Sequence, residues 1–497
     1  MVESTGTGPA ARVTRVRSIL TCCAVAANAI CAGGVYSFPL LAPTLVEHLK
    51  LSQPQLTTIV LAGMATQYLF AVVCGVAIDR YGSWSCSLAA AILYSLGFGL
   101  FAGEVAQATT ETHTTTASFY RLVLYFGMIG LATVCSYFSL VFASTTMFPR
   151  YSGTASGTSM SIFGLSPLFL SLIASKFTAD QTLDIPGFFM FMALLAGTVH
   201  FGSTFIFRAN RAFELDGGEA LAVRSTSDAE SSASTVEPEE EPLLGGNGDN
   251  APKDPASVGV VPVEEPRDGS AFDLLKDRYF WVLCLWMSLT VGAAEMVISN
   301  LGSIVLSLPS TSSSATANAA QQVRLLSFFN TISRLLIGPF ADVIAPVASR
   351  LESGAWGFAS KRHTSRVAFM LGTCVLLAVT LAWSNVGVHT QEDIWPLSVG
   401  TGFAYGSTFT VLPGILSSIW GLKNLARNFG ITSYTAFAGT TIFSYLYAFV
   451  AARHVAPPNT ACIGKECWRS TFWISTATTT IAFCAAFVLW SKWRARV

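Results

Sequence analysis

Long apolar stretches dominate the hydrophobic pattern of the chain, and polar residues are concentrated between them. Twelve stretches reach roughly the 20 residues that an α-helix needs to cross a bilayer core. Six precede residue 209 and six follow residue 278; they begin near Ile19, Leu56, Trp84, Tyr120, Thr154, Pro186, Tyr279, Gln322, Arg366, Asp393, Ala426 and Trp468. Backbone polar groups cannot stay unpaired in hydrocarbon, so the pattern predicts an all-α membrane protein with twelve transmembrane helices.

The segment between the two groups of spans has a different character. Residues 209–278 are rich in acidic residues, Ser, Pro and Gly and poor in aromatics, a composition that cannot bury enough apolar surface to fold alone. We therefore expect a tail (1–18), a six-helix bundle (19–208), a disordered acidic linker (209–278), a second six-helix bundle (279–492) and a tail (493–497). The end of the linker, 271–278, has helical periodicity and predicts a helix on the membrane surface.

The charge distribution predicts the orientation of these parts. The chain carries 29 basic and 29 acidic residues, yet the tails, linker and loops on one side hold about three times as many Lys and Arg residues as the loops on the other side. The positive-inside rule then places both termini and the linker in the cytosol. The first 18 residues are polar and basic, so we expect span 1 to act as its own insertion signal without a cleavable leader.

Composition and motifs argue against an enzyme. Hydrophobic residues make up 52% of the chain, charged residues only 12%, and the mean hydropathy is +0.53. The sequence contains no phosphate-binding loop, no Gly-x-Ser-x-Gly motif and no Cys/His spacing typical of a metal site. We therefore expect no cofactor, no metal and no nucleic-acid partner; the expected partners are the lipid bilayer and a small-molecule substrate.

Two charged residues lie within spans, where a charge is costly and calls for a reason. Glu295 in span 7 could carry a proton if it meets water alternately on the two sides; the alternative is that it bonds to Asn300 or to another span and locks the bundle. Arg334 in span 8 cannot become neutral, so it must face a carboxylate or a cavity, where it would contact an anion. A third possibility is that Glu295 and Arg334 pair with each other as a structural lock.

The linker and one loop each carry a further candidate feature. Glu239 precedes Leu243-Leu244 by four residues, which resembles the acidic dileucine signal that clathrin-adaptor-type sorting proteins read, although two leucines in an acidic loop can also be coincidence. Cys462 and Cys467 lie in the loop between spans 11 and 12, which we expect to face outward. They could form a disulfide there or remain free thiols.

A short corner occurs twice, each time after the second span of a group. It reads Gly75-Val76-Ala77-Ile78-Asp79-Arg80-Tyr81-Gly82 first and Gly338-Pro339-Phe340-Ala341-Asp342 second. This recurrence in matching places indicates two halves that arose by duplication. The candidate gating motif consists of Gly75, Asp79, Arg80, Gly82, Gly338 and Asp342.

The first corner resembles the loop between spans 2 and 3 of the major facilitator superfamily. Gly33-Gly34-Val35-Tyr36-Ser37-Phe38-Pro39 in span 1 and Ser299-Asn300-Leu301-Gly302 in span 7 resemble its nodulin-like and monocarboxylate-transporter branches, and most of all the fungal homologues described as probable vacuolar transporters. The resemblance implies two pseudo-symmetric six-helix bundles that move a solute across the vacuolar membrane by alternating access. The candidates for the substrate and proton path are Arg334, Glu295, Asn330, Asn300 and Tyr36.

The chain also departs from that family at two ionisable positions. In proton-coupled monocarboxylate carriers a lysine typically follows the span 1 Phe-Pro and an aspartate lies four residues before the span 8 arginine, whereas this chain has Leu40 and Asn330. We therefore expect a secondary active transporter of a small solute, with organic anions as candidates, and not a plain lactate or pyruvate proton symporter. The alternatives are a plasma-membrane monocarboxylate or organic-anion carrier, and a non-transporting membrane sensor with the same fold.

Overall fold

Helices account for nearly all of the secondary structure. The computed structural model describes residues 9–108, 115–148, 152–179, 182–232, 271–310, 315–345, 349–350, 356–357, 364–421, 425–456 and 461–494. Within these ranges, fifteen α-helices follow one another with two small antiparallel strand pairs. The dominance of helix is expected of apolar segments that must satisfy their own backbone hydrogen bonds in lipid.

The first half contains eight α-helices. They are α1 (Pro9–Cys31), α2 (Phe38–Leu49), α3 (Gln53–Leu69), α4 (Ala71–Tyr81), α5 (Ser83–Gln107), α6 (Thr116–Met147), α7 (Ser152–Ala174) and α8 (Ile185–Ser232). Short 3-10 turns occupy Gly33–Ser37 and Ser175–Phe177. Between α7 and α8, strand β1 (Thr178–Ala179) pairs with β2 (Thr182–Leu183).

The second half contains seven α-helices. They are α9 (Ala271–Lys276), α10 (Arg278–Leu306), α11 (Ala315–Ile344), α12 (Val367–Gly387), α13 (Trp395–Trp420), α14 (Leu425–Arg453) and α15 (Arg469–Trp493). Turns of 3-10 helix occupy Gln391–Ile394 and Lys465–Cys467. Strand β3 (Ser349–Arg350) pairs with β4 (Trp356–Gly357) between α11 and α12.

The helices account for the twelve predicted spans. Nine described segments are long and apolar enough to cross a bilayer, and the bent pair of α3 and α4, whose axes differ by 41°, adds a tenth. The remaining two positions are taken by α11 and α13, which have 30 and 26 residues and mix small and polar residues with apolar ones. Polar side chains are tolerated on a spanning helix where they face the bundle interior or a cavity.

Span 1 breaks at its glycine pair. The backbone N–H of Gly33 donates to Ser166 Oγ of α7 at 2.9 Å, and Ser166 donates in turn to the carbonyl of Ile30. A Cβ at Gly33 would lie 2.5 Å from Ser166 Oγ, so a larger residue cannot occupy this place without displacing α7. The break separates α1 from α2 and carries Tyr36 on the 3-10 turn between them.

The two halves meet closely on one side of the membrane. We call the face at which α1 begins and α15 ends the terminal face, and the other the distal face. On the distal side, Gln53 Nε2 donates to Asn300 Oδ1 at 3.0 Å, and Thr57 Oγ1 donates to the same oxygen at 3.3 Å. A Cβ at Gly302 of α10 would lie 2.0 Å from the carbonyl oxygen of Pro39 in α2. We call this contact region between the halves the distal seam.

Helix α8 continues past the expected end of the first bundle. The composition predicts a disordered linker from residue 209, whereas the helix extends to Ser232. Residues 209–232 include many good helix formers, and adding a residue to an existing helix is far easier than starting one. Residues 233–270, which hold Glu239, Leu243 and Leu244, lie outside the described residues.

The two corners of the candidate gating motif contact arginines from other helices. Gly82 has a φ of 92°, and Arg211 of α8 donates from Nη2 to the carbonyl of Arg80 at 2.9 Å. In the second half, Asp342 accepts a hydrogen bond from Arg366, whose Nε donates to the carbonyl of Ala345 at 2.8 Å. The side chain of Asp79 lies outside the described residues.

The loop between α14 and α15 is closed by a disulfide. Cys462 and Cys467 are bonded, with their Cα atoms 5.8 Å apart. The backbone N–H of Gly464 donates to the carbonyl of Ser307 at 2.7 Å, which ties the loop to the distal end of α10. Trp468 Nε1 donates to Ser307 Oγ at 3.2 Å from a fully buried position, so the loop is part of the distal packing.

Candidate functional site

A cavity of about 340 Å³ lies between the two halves. Its wall includes α3, α4, α6 and α7 from the first half and α10, α11, α13 and α14 from the second. It extends to Val76, near the end of α4, and to Arg427, near the start of α14, both of which lie towards the terminal face. The wall is mostly apolar, which is typical of a small-molecule site with a few fixed polar groups.

Glu295 is fully buried next to this cavity and is held by hydroxyl groups. Tyr405 donates to Glu295 Oε1 at 2.8 Å, and Thr440 donates to Oε2 at 2.6 Å. Tyr68 also donates to Oε1, and it comes from α3 in the first half. Three donors on one carboxyl group suit the ionised form, because a carboxylate only accepts hydrogen bonds.

A chain of hydrogen-bonding groups extends from Glu295 along the cavity wall. The hydroxyl of Tyr405 lies 3.5 Å from that of Tyr36, and Gln67 Nε2 donates to Tyr36 at 2.9 Å. Tyr36, Gln67, Tyr68 and Tyr405 all line the cavity, whereas Glu295 lies behind them. Glu295 is therefore connected to the cavity by the hydrogen bonds that it accepts from Tyr68 and Tyr405.

Arg334 lines the same cavity from α11. Its Nε donates to Asn330 Oδ1 at 3.1 Å, and its guanidinium carbon lies 5.9 Å from the centre of the Phe409 ring. Within the described part of the chain, Arg334 forms no ion pair, and Glu295 is bonded to hydroxyl groups instead. Glu295 and Arg334 therefore form no structural ion pair with each other in the described part of the chain. The Arg334 guanidinium can bind an anion in the cavity instead.

The other sequence candidates fall in two places. Asn330 and Tyr36 line the cavity with Arg334. Asn300 lies in the distal seam and not in the cavity wall; its Nδ2 donates to the carbonyl of Met296 at 2.9 Å. Asn300 does not bond to Glu295 in the structure, which removes that form of the locking alternative.

Sequence reasoning missed several groups that complete the site. Tyr68, Tyr405 and Thr440 are neutral residues in apolar helices, so nothing in the pattern marks them as partners of Glu295. Their contacts depend on how α3, α13 and α14 pack around α10, which a single sequence does not reveal. A local signal in α13 is its mixture of Gly, Ser and Thr with apolar residues, which is typical of a helix that packs inside a bundle.

Comparison with known proteins identifies relatives over most of the chain. The profile of the Major Facilitator Superfamily matches residues 21–351. The chain is 30% identical to "Probable transporter MCH1" of Gibberella zeae, over 94% of this chain and 88% of that protein. It is 26% identical to "Probable transporter mch1" of Emericella nidulans, over 94% of this chain and 84% of that protein. The family resemblance of the sequence motifs is thereby confirmed.

Solved structures share the fold at much lower identity. A D-xylose-proton symporter covers 94% of this chain, with 96% of its own length, at a TM-score of 0.60 and 10% identity. The inward open conformation of the xylose transporter XylE from E. coli matches 95% of both chains at a TM-score of 0.59 and 11% identity. These likenesses confirm the predicted arrangement of two helix bundles, and they concern the fold alone.

Proposed function

Since this chain belongs to the major facilitator superfamily, we propose that it carries a small organic anion across the vacuolar membrane by alternating access. Membership of that family makes it a multi-pass membrane transporter and not an enzyme. The anionic substrate, the vacuolar membrane and alternating access go beyond family membership and are proposed here.

One observation carries the proposal of an anionic substrate. The cavity between the halves contains a guanidinium, that of Arg334, which has no acidic partner among the described residues. Arginine stays charged at any relevant pH, and an unpaired charge in a mostly apolar cavity is costly. A carboxylate or another anion bound there would supply the missing partner through charge-assisted hydrogen bonds.

Alternating access accounts for the asymmetry of the contacts between the halves. The distal seam is closed by the hydrogen bonds to Asn300 and by the approach of Gly302 to Pro39, while the cavity extends towards the terminal face. A carrier must also visit the reverse arrangement, in which the seam opens and the terminal side closes. The candidate gating motif, including Asp79 and Asp342, would stabilise that terminal closure.

Glu295 is our candidate for coupling transport to protons. Its carboxylate bonds to Tyr68 of the first half and to Tyr405 and Thr440 of the second, so it joins the two halves next to the cavity. When a proton neutralises the carboxylate, the charge-assisted bond to Tyr68 weakens. Proton binding would therefore favour separation of the halves at this point, which links protonation to the conformational cycle.

The substrate is expected to differ from lactate and pyruvate. The residues that the proton-coupled monocarboxylate carriers use beside their arginine are replaced here by Leu40 and Asn330. Leu40 is buried, and the Asn330 side chain accepts a hydrogen bond from Arg334 instead of forming an ion pair with it. The guanidinium charge is thus left for the substrate to balance.

Counterflow in reconstituted vesicles tests the proposal. Vesicles that contain the purified protein and are loaded with unlabelled organic acids should take up the matching labelled acid faster than protein-free vesicles. A sensor would bind an acid without counterflow, and this result would contradict the proposal. Metabolite profiling of isolated vacuoles with and without the protein would identify the solute and separate a vacuolar from a plasma-membrane carrier.

A further inference from the structure

Gln67 lines the cavity and carries an acceptor without a hydrogen-bond partner among the described residues. Its Nε2 donates to Tyr36 at 2.9 Å, but its Oε1 is buried and has no hydrogen-bond partner among the described residues. A buried acceptor without a donor is unfavourable, and most such groups in folded proteins are paired. Because Gln67 lines the cavity, a turn of its amide group towards the cavity would let a donor on a bound solute supply the missing hydrogen bond.

An aromatic wall separates Gln67 from Arg334. The Arg334 guanidinium lies 5.9 Å from the centre of the Phe409 ring, and this ring lies 4.8 Å from that of Tyr405. The Tyr405 hydroxyl then meets Tyr36, to which Gln67 donates. The cation and the free acceptor are thus connected by a surface of aromatic rings.

The rest of the wall is suited to a planar apolar body. Eight aromatic side chains of the described residues line the cavity. Among them Phe163 packs edge-on against both Tyr36 and Tyr137, with ring centres 6.0 Å and 5.2 Å apart. Aromatic rings favour such edge and offset contacts with one another, so a bound ring would find partners in this wall.

We propose that the substrate is an aromatic carboxylic acid that carries a hydroxyl group. Its carboxylate binds Arg334, its ring packs against Tyr405 and Phe409, and its hydroxyl donates to Gln67 Oε1. This inference rests on the proposed function and names the substrate class of the same site. Gln67 is then the residue that sets specificity for the hydroxylated acid.

Two acids that differ by one hydroxyl test the inference. Proteoliposomes are assayed at neutral pH for uptake of labelled 4-hydroxyphenylacetate, phenylacetate and lactate, after subtraction of the leak in protein-free vesicles. We expect 4-hydroxyphenylacetate to be preferred over phenylacetate by on the order of ten-fold or more, because a site built to bond a hydroxyl rejects the analogue without it. Lactate should be carried more slowly than either.

The Gln67→Met variant tests the assigned residue. Methionine keeps the length of the side chain but cannot accept a strong hydrogen bond, so the ratio of the two aromatic fluxes should fall to about one. Gln321→Met, on an exposed position of α11, is the matched control and should keep the preference. Thermal unfolding of each purified variant shows whether it is folded. Gln67→Asn is the second variant: its amide is one methylene shorter and falls short of the solute hydroxyl, so the ratio of the two aromatic fluxes should fall here as well.

Four outcomes would overturn the inference. Equal fluxes of the two aromatic acids in the parent protein would mean that water satisfies Gln67, and a preserved preference in Gln67→Met would assign specificity elsewhere. Transport of lactate with exclusion of both aromatic acids would reject the substrate class while leaving the proposed function intact. Failure to exchange any organic acid would overturn the inference and the proposed function together.

Discussion

At the scale of single residues, three hydroxyl groups donate to the Glu295 carboxylate, and the proposal is that the charge of this carboxylate couples transport to protons. Glu295→Gln keeps the size of the side chain but cannot bind or release a proton. We expect the variant to lose its dependence on a pH gradient and to keep the exchange of solute between equal pools. The measurement is flux with and without an imposed gradient, and Glu47→Gln, at an exposed position, is the control. Retained gradient dependence in Glu295→Gln would exclude this residue as the proton carrier.

Charge made some of the site residues visible in the sequence. Glu295 and Arg334 stand out because ionised groups are rare within spans. Arg334 lines the cavity, and Glu295 lies behind the tyrosines that line it. Gln67 and Tyr405 could not be singled out in the same way, because a neutral polar residue in a span more often bonds to a neighbouring helix. Their role depends on a wall that forms only when the two halves come together.

At the scale of elements, the distal seam depends on the close approach of α10 to α2. A Cβ at Gly302 would lie 2.0 Å from the Pro39 carbonyl oxygen, so Gly302→Val should hold the seam apart and favour the arrangement that is open on the distal side. Thr57→Cys, at a buried position of the seam, then reports opening through its labelling rate with a membrane-impermeant maleimide in a background without other free cysteines.

We expect Gly302→Val to raise that labelling rate by about ten-fold, which corresponds to roughly 1.4 kcal/mol in the equilibrium between the two arrangements. Gly372→Val is the matched control, because a Cβ at Gly372 in α12 would meet nothing within 4 Å. Equal labelling of Thr57→Cys in both backgrounds would show that the seam does not open during the cycle.

The elements themselves were largely predictable, and their ends were less so. The lengths of the apolar stretches predict the spans, because a helix must cross a fixed thickness of hydrocarbon. The end of α8 was misplaced at residue 208, since composition marks where the chain leaves lipid and not where its helix stops. The bend between α3 and α4 was also missed, because the residues at their junction look like the rest of an apolar span.

At the scale of the whole molecule, the sorting hypothesis concerns residues outside the two bundles. If Leu243 and Leu244 enter an apolar pocket of an adaptor, replacing both with alanine should move the protein from the vacuole towards the plasma membrane. Folding should be unaffected, because the acidic, Ser-, Pro- and Gly-rich composition of this segment predicts that it does not fold on its own. Fluorescence microscopy of the tagged double variant is the measurement, with Leu221→Ala as a control leucine earlier in the same connection. Unchanged vacuolar residence would discard the dileucine signal.

The duplicated corner and the two groups of spans were enough to predict the architecture of the whole molecule. Each half repeats the same order of spans, and the two corners each contact an arginine from a neighbouring helix, Arg211 in the first half and Arg366 in the second. The sequence could not predict which side of the central cavity is closed, because both arrangements of a carrier use the same residues and differ little in free energy.

The proposal that a cation in this cavity binds an organic anion is tested most directly by the flux of the Arg334→Gln variant. The variant is reconstituted beside the parent and Arg453→Gln, which removes a charge from an exposed position at the end of α14. Counterflow is then measured for a panel of organic acids and for glucose as a neutral solute. We predict that the parent and Arg453→Gln exchange at least one acid, and that Arg334→Gln loses about ten-fold or more of that flux, as expected for a lost charge-assisted hydrogen bond. Full acid exchange by Arg334→Gln, or exchange of glucose alone by the parent, would contradict the proposal.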